Sequence, residues 1–278
     1  MYPGSGPSDR DNDIFFPPIR RRLLDAGIAV VSFDKRGVGN SGGSWLEIGI
    51  EEQAADLLAG HAAAAALVPG VPGGVFGHSQ GGWVVLEALR MSRDAASFAG
   101  SPAFGVTSSG PGVTMADQER FAAVNSVTGI TADRADRERA LGAAWTVIGM
   151  FEAGRAHPEL MAWANEPGNT DDLELVKRLY GDDLLDVRMW DHLVRLAGFD
   201  PIPALEAIDV PLLAVFGSRD TVTPVEPSVA AFTAHVAAHR LQIAVIPDGN
   251  HRLQSADSTE FALGYPDVII DFVTAVAA

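Results

Sequence analysis

Three side chains in this sequence have the types and the flanking residues that nucleophilic catalysis requires: Ser79, Asp220 and His251. Ser79 stands in the string Gly77-His78-Ser79-Gln80-Gly81-Gly82. A serine on a tight strand-to-helix turn adopts a strained backbone, and the positions two before and two after it must lack bulk for the turn to close. Gly77 and Gly81 meet that need. The hydroxyl then stands exposed at the carboxyl end of a strand. The next amide, that of Gln80, opens a helix and can stabilise a developing oxyanion. The G-x-S-x-G string alone is a weak signal in a glycine-rich chain. Its place between the apolar run Gly74 to Phe76 and a helical stretch gives it force.

A serine hydroxyl is a poor nucleophile until a histidine takes its proton, and that histidine needs a carboxylate to hold its tautomer and orientation. The run Leu212 to Phe216 is followed by Gly217-Ser218-Arg219-Asp220, which sets Asp220 in a turn at a strand's carboxyl end. Leu241 to Ile246 is followed by Pro247-Asp248-Gly249-Asn250-His251, which does the same for His251. Asp248 is the nearest rival acid, with Asp182, Asp183 and Asp191 behind it. Among the histidines, His61, His157, His192, His235 and His239 lie mostly in helical stretches, and His78 is expected to point away from the nucleophile.

The elements that must position these residues are legible as well. Five nearly continuous apolar runs end in turn signals and read as parallel strands buried on both faces: Ile28 to Phe33, Gly74 to Phe76, Ala103 to Thr107, Leu212 to Phe216 and Leu241 to Ile246. Helical stretches alternate with them at Pro18 to Ala26, Glu51 to Leu67, Gly82 to Met91, Val225 to His239 and Asp267 to Val276. This alternation is the pattern of an open α/β sheet. It breaks between Gly112 and Phe199, where Thr114 is expected to cap a helix and no strand-like run appears. That segment reads as an inserted helical subdomain carrying Trp145, Trp163, Trp190, Met150, Phe151, Met161 and Met189, which fill its own core or face a ligand pocket.

Composition bounds the alternatives. A chain of 278 residues with 47% hydrophobic and 20% charged residues can bury a large core and is not disordered. A net charge of -16 repels phosphate backbones and anionic headgroups, so nucleic acid and membrane surfaces are excluded as expected partners. Arg20-Arg21-Arg22 reads as the solvated face of a helix. The absence of cysteine removes disulfides, thiolate metal sites and thiol nucleophiles. No apolar stretch reaches the length of a membrane span and no secretory leader is visible, so a cytoplasmic protein is expected. Gly37-Val38-Gly39 lacks the third glycine of a dinucleotide loop, Asp9, Asp11 and Asp13 lack the glycine of a calcium loop, and His235 and His239 lack a third ligand. Neither metal nor cofactor is expected.

In five strings the chain resembles the α/β-hydrolase superfamily, and within it bacterial serine esterases with a helical lid. The strings are Gly4-Ser5-Gly6-Pro7-Ser8-Asp9-Arg10-Asp11, Asp34-Lys35-Arg36-Gly37-Val38-Gly39-Asn40-Ser41, Gly77 to Gly81, Gly217 to Asp220 and Gly249-Asn250-His251. The resemblance implies residues 1–111 and 200–278 as the hydrolase core and 112–199 as the lid. It implies Ser79 as nucleophile, His251 as base, Asp220 as its orienter, the amides of Gln80 and Ser5 as the oxyanion hole, and a small-molecule ester as substrate. Thioesterase and peptidase chemistry use the same parts, and an inactive ligand-binding member is the reading from another class. In the family the first string reads His-Gly-Ser-Gly at the end of an inner strand; here Pro3 replaces the histidine and only Met1 and Tyr2 precede it. The early strands are therefore expected to be missing, through N-terminal truncation rather than a rearranged sheet, leaving Ile28 to Phe33 and Gly74 to Phe76 on either side of a gap.

Overall fold

A computed structural model describes residues 1–94, 100–255 and 258–277. Two compact units are present: the first comprises Met1–Trp45, Ile50–Val113 and Pro201–Ala278, the second Leu46–Gly49 and Thr114–Asp200. Among the described residues of the first unit, four strands form one parallel sheet in the order β1 (Val75–His78), β2 (Gly105–Ser108), β3 (Leu212–Gly217) and β4 (Leu241–Ile246). Strand residues alternate between faces. Phe76, Val106, Leu213 and Val215 meet Phe16, Ile19 and Leu23 of helix α1 (Phe16–Asp25) and Tyr265, Ile269, Phe272 and Val273 of the C-terminal helix Tyr265–Ala277. The opposite face carries α2 (Ile50–Leu67) and α3 (Gln80–Asp94), with α3 lying against β1 and β2.

Strands β1, β2 and β3 are buried throughout, but β4 is not, and Val245 is 44% exposed. The expectation of burial on both faces fails there because β4 is an edge strand. Ile28 to Phe33 differs further: it forms no strand. Met1 and Tyr2 lie between this segment and β1. The Tyr2 N–H donates to the Phe76 carbonyl at 2.8 Å, the His78 N–H donates to the Tyr2 carbonyl at 3.2 Å, and the Met1 ammonium donates to the Val31 carbonyl at 2.7 Å. Tyr2 is fully buried, its ring edge-on to Phe33 and its hydroxyl 3.2 Å from Gln53 Oε1.

The second unit is helical: α4 (Met115–Ile130), α5 (Arg134–Glu152), α6 (His157–Ala164), α7 (Thr170–Tyr180) and α8 (Val187–Ala197). Thr114 caps α4 by accepting from the Asp117 N–H, and Asp133 and Asp186 cap α5 and α8 in the same way. Trp190 is fully buried, edge-on to Phe151, and its indole N–H donates to the Arg155 carbonyl at 2.8 Å. Trp145 is 39% exposed, so it does not share that core. Leu46–Gly49 joins this unit, which the sequence pattern does not suggest; Arg195 Nη1 donates to the Leu46 carbonyl at 2.9 Å. The first unit resumes with α9 (Pro201–Glu206), then β3, α10 (Val225–His235), β4 and α11 (Tyr265–Ala277). Helix α10 stops at His235, four residues short of the expected end, so His239 is not on it. Among the described residues, no helix is long and apolar enough to cross a membrane.

Candidate active site

Ser79 occupies the single residue between β1 and α3 with φ at 55°. A non-glycine residue there is strained and persists only where its surroundings impose it. The Ser79 N–H donates to the Ser108 carbonyl at 2.9 Å, and the Gly82 N–H donates to the Ser79 carbonyl at 2.7 Å. The two glycines of the turn answer to separate contacts. A Cβ on Gly77 would overlap the Gly81 carbonyl, and a Cβ on Gly81 would lie 2.7 Å from the carbonyl oxygens of both Tyr2 and Pro3. Gly81 is therefore required by the N-terminal segment as well as by the turn.

Asp220 and His251 come from the loops after β3 and β4, which are stitched together. The Ser218 N–H donates to the Ile246 carbonyl at 2.9 Å, the Arg219 N–H to the Gly249 carbonyl at 2.8 Å, and the Asp248 N–H to Ser218 Oγ at 2.9 Å. The Asp220 side chain is wholly buried, and Oδ1 accepts the amides of Val222 and Thr223, each at 2.8 Å. Its Oδ2 lies 2.9 Å from His251 Nδ1, and His251 Nε2 lies 3.0 Å from Ser79 Oγ. With its proton on Nδ1, His251 donates to Asp220 and leaves Nε2 to accept from the serine. Asn250 fixes the turn that carries His251: its Oδ1 accepts the amides of Arg252 at 2.8 Å and Gln254 at 3.1 Å.

The structure thus brings Ser79, His251 and Asp220 into one hydrogen-bonded chain. Gln80 supplies the first N–H of α3, which has no intrahelical acceptor. Gly4 lies against Ser79, so that a Cβ there would sit 3.4 Å from Ser79 Cβ, and the Ser5 N–H belongs to the peptide that follows. Among the described residues, neither the Gln80 nor the Ser5 N–H is bonded to a protein acceptor. Rival Asp248 is exposed, 3.9 Å from Arg219, and Asp182 is exposed beside Lys177.

Other residues depart from their sequence reading. His78 does not point away: its ring centroid is 5.2 Å from that of His251 and 4.4 Å from that of Phe15. Strand alternation places it on the α1 face, under the loop that delivers His251. Burial, then the neighbouring His251, holds its pKa well below the ordinary imidazole value. Arg20 is not simply solvated; it pairs with Asp11 and donates to the Arg10 carbonyl at 2.8 Å and to Ser32 Oγ at 3.0 Å. Asp11 and Asp13 pair with different arginines, Arg20 and Arg252.

The link between the strings Gly4 to Asp11 and Asp34 to Ser41 escapes sequence reading. Asp34 accepts from Arg10 three times: from its N–H at 2.9 Å, Nε at 2.9 Å and Nη2 at 2.6 Å. These bonds hold its carboxyl far below the usual range. Lys35, 3% exposed, donates through Nζ to the carbonyls of Gly4 and, at 3.3 Å, Gly6. Burial brings its pKa down to about 7. The available signal was the run Asp34-Lys35-Arg36 directly after an apolar segment, where the chain has no reason to be charged unless something is held.

A family model described as serine aminopeptidase, S33, matches residues 15–257. No curated protein matches the chain in sequence. Among solved structures, the chain is similar to a thermophilic esterase from Thermogutta terrifontis, at 20% identity over 100% of this chain and 91% of that one, with a TM-score of 0.57. It is similar to a monoacylglycerol lipase of Paleococcus ferrophilus at 17% identity, 99% and 93% coverage and a TM-score of 0.58. A lipase-esterase related protein from Clostridium acetobutylicum gives 18%, 98% and 92%, with a TM-score of 0.55.

Proposed function

The chain belongs to the S33 serine aminopeptidase family, a family of serine hydrolases with the α/β-hydrolase fold, and from that premise we propose that it hydrolyses small carboxylic esters through an acyl-enzyme on Ser79. The observation that carries this reading is the continuous hydrogen-bond chain Ser79 Oγ, His251 Nε2, His251 Nδ1 and Asp220 Oδ2, with links of 3.0 and 2.9 Å, beginning at a serine of positive φ.

Ser79 Oγ attacks the ester carbonyl carbon as its proton passes to His251 Nε2. Asp220 stays ionised and stabilises the imidazolium that forms. The carbonyl π pair moves onto oxygen, where the N–H groups of Gln80 and Ser5 receive it. Collapse expels the alcohol, which takes the proton from Nε2 and leaves the acyl group on Ser79. A water then gives its proton to Nε2 and attacks the acyl carbon; the serine is released with that proton restored. No cofactor enters these steps.

A second reading, aminopeptidase activity, is favoured by the family description. One preparation assayed on p-nitrophenyl esters, thioesters and aminoacyl p-nitroanilides separates the two, with a fluorophosphonate to mark the nucleophile. Ester turnover with labelling at Ser79 is expected. A folded chain that never labels there is an inactive member.

A further inference from the structure

We propose that Lys35 is a positioning residue for the oxyanion pocket, holding the Gly4–Ser5 peptide so that the Ser5 N–H faces the substrate's carbonyl oxygen. The proposal rests on the reading of Ser79 and Ser5 given above. In a trans peptide the C=O of one residue and the N–H of the next lie in one plane and point in opposite directions. The carbonyl that Lys35 Nζ grips is that of Gly4, and the N–H on the other side of the same plane is that of Ser5. To hold the one is to aim the other.

The segment needs such a clamp. It runs Gly4-Ser5-Gly6, with Gly6 at a φ of 76°. The Gly4 N–H donates to Asn12 Oδ1 at 3.3 Å, and Ser8 donates to the Ser5 carbonyl through Oγ and to the Gly6 carbonyl through its N–H, each at 2.9 Å. The Gly4 carbonyl, the one in the plane of the Ser5 N–H, is held by Lys35. Lys35 Nζ donates to the Gly6 carbonyl as well, at 3.3 Å, and so spans the Ser5-Gly6 pair. Its Nζ sits over the Tyr2 ring, 5.5 Å from the centroid. The Lys35 N–H donates to the Ser8 carbonyl at 3.4 Å.

The identity of the residue is the telling point. An amine buried to this degree is costly unless it is paired, and among the described residues Lys35 has no carboxylate partner. The adjacent Asp34 is engaged by Arg10. A methionine would fill the same space without that penalty; what it lacks is donors for two carbonyls. A hydrogen bond to a peptide carbonyl also polarises the peptide and strengthens its N–H as a donor, so the same contact both orients the Ser5 N–H and strengthens it.

The test compares Lys35→Met, which keeps the length and removes the donors, with Lys35→Gln, whose shorter amide keeps a donor but not the reach. Each is assayed on p-nitrophenyl butyrate and with an alkyl trifluoromethyl ketone. That ketone forms a hemiketal: Ser79 Oγ bonds to the carbonyl carbon, the serine proton goes to His251 Nε2, and the oxygen carries the charge in the pocket. Lys35→Met is expected to lower kcat about 10- to 100-fold with KM within about twofold, and to weaken the ketone in proportion, because the lost interaction serves only the charged oxygen. Lys35→Gln should fall between Met and wild type, and it decides the matter if the Met variant does not fold. A folded variant with kcat and ketone affinity within about twofold of wild type overturns the proposal. So does a kcat loss with unchanged ketone affinity. Ser79→Ala, run in parallel, keeps the two failures apart: if it matches wild type, or wild type has no turnover, the reading of the site falls and the proposal with it.

Discussion

Asp220 meets His251 with both carboxylate oxygens and its own turn with one of them: Oδ2 lies 2.9 Å and Oδ1 3.1 Å from His251 Nδ1, and Oδ1 also accepts the amides of Val222 and Thr223 at 2.8 Å. Asp220 is thus fixed by backbone amides as well as by His251, and both loops are tied to each other through Ser218, Arg219 and Gly249. An amide in place of the carboxylate keeps an oxygen for the turn but sets an NH2 donor where Oδ2, the nearer acceptor of the Nδ1 proton, now stands. Asp220→Asn is expected to leave the melting temperature near wild type and to lower kcat by about 10³- to 10⁴-fold. Steady-state kinetics beside a thermal melt check both halves.

Gly81 is constrained by the chain's first residues. A methyl group there would sit 2.7 Å from the carbonyls of Tyr2 and Pro3, both backbone atoms that cannot rotate away. Gly81→Ala is expected to cost about 1 to 3 kcal/mol in urea unfolding. Tyr2→Ala, which removes a fully buried ring packed on Phe33, should cost about 3 to 5 kcal/mol.

In the helical unit, two tryptophans that look alike in sequence should behave differently. Trp190→Ala empties a site with no exposure and leaves the Arg155 carbonyl without its indole donor. A loss of about 3 to 5 kcal/mol is expected. Trp145→Ala, at a position 39% exposed, gives up only part of a buried ring and should cost clearly less, about 1 to 2 kcal/mol. Paired denaturant titrations on the whole chain measure the contrast.

Burial raises the pKa of Glu119, on α4, from 4.5 to about 7. Between those values the folded chain binds more protons than the unfolded one, so this carboxyl's contribution to stability is fully present below pH 4.5. It is lost as pH rises through about 7. Glu119→Gln should remove that part of the slope, at most about 1.4 kcal/mol per pH unit. Unfolding free energies at several values between pH 4.5 and 7.5 test it; parallel curves for variant and wild type would contradict it.

Much of the fold was legible in sequence because apolar runs and glycine turns report directly on strands and tight corners. β4 was read to the residue, and the serine turn was marked by two glycines whose Cβ atoms would strike backbone. Two properties were not legible. Burial depends on neighbours rather than on composition, so β4 read as an inner strand although it is an edge. Pairing depends on what lies alongside, so Ile28 to Phe33 has strand composition but no ladder. The site shows the same division. Ser79, Asp220 and His251 each carry a local signal, whereas Lys35 and Arg10 act across the chain on Gly4 and Asp34. Nothing in their own neighbourhoods names those partners.

The central claim is that an ester's acyl group passes through Ser79. The most direct measurement mixes the chain with p-nitrophenyl butyrate, quenches with acid during turnover, and locates the butyryl group by peptide mass. The adduct is expected on the peptide containing Ser79, with none in Ser79→Ala and with turnover abolished in that variant. Turnover without any adduct on that peptide, or an Ala variant that hydrolyses the ester at the wild-type rate, would contradict it.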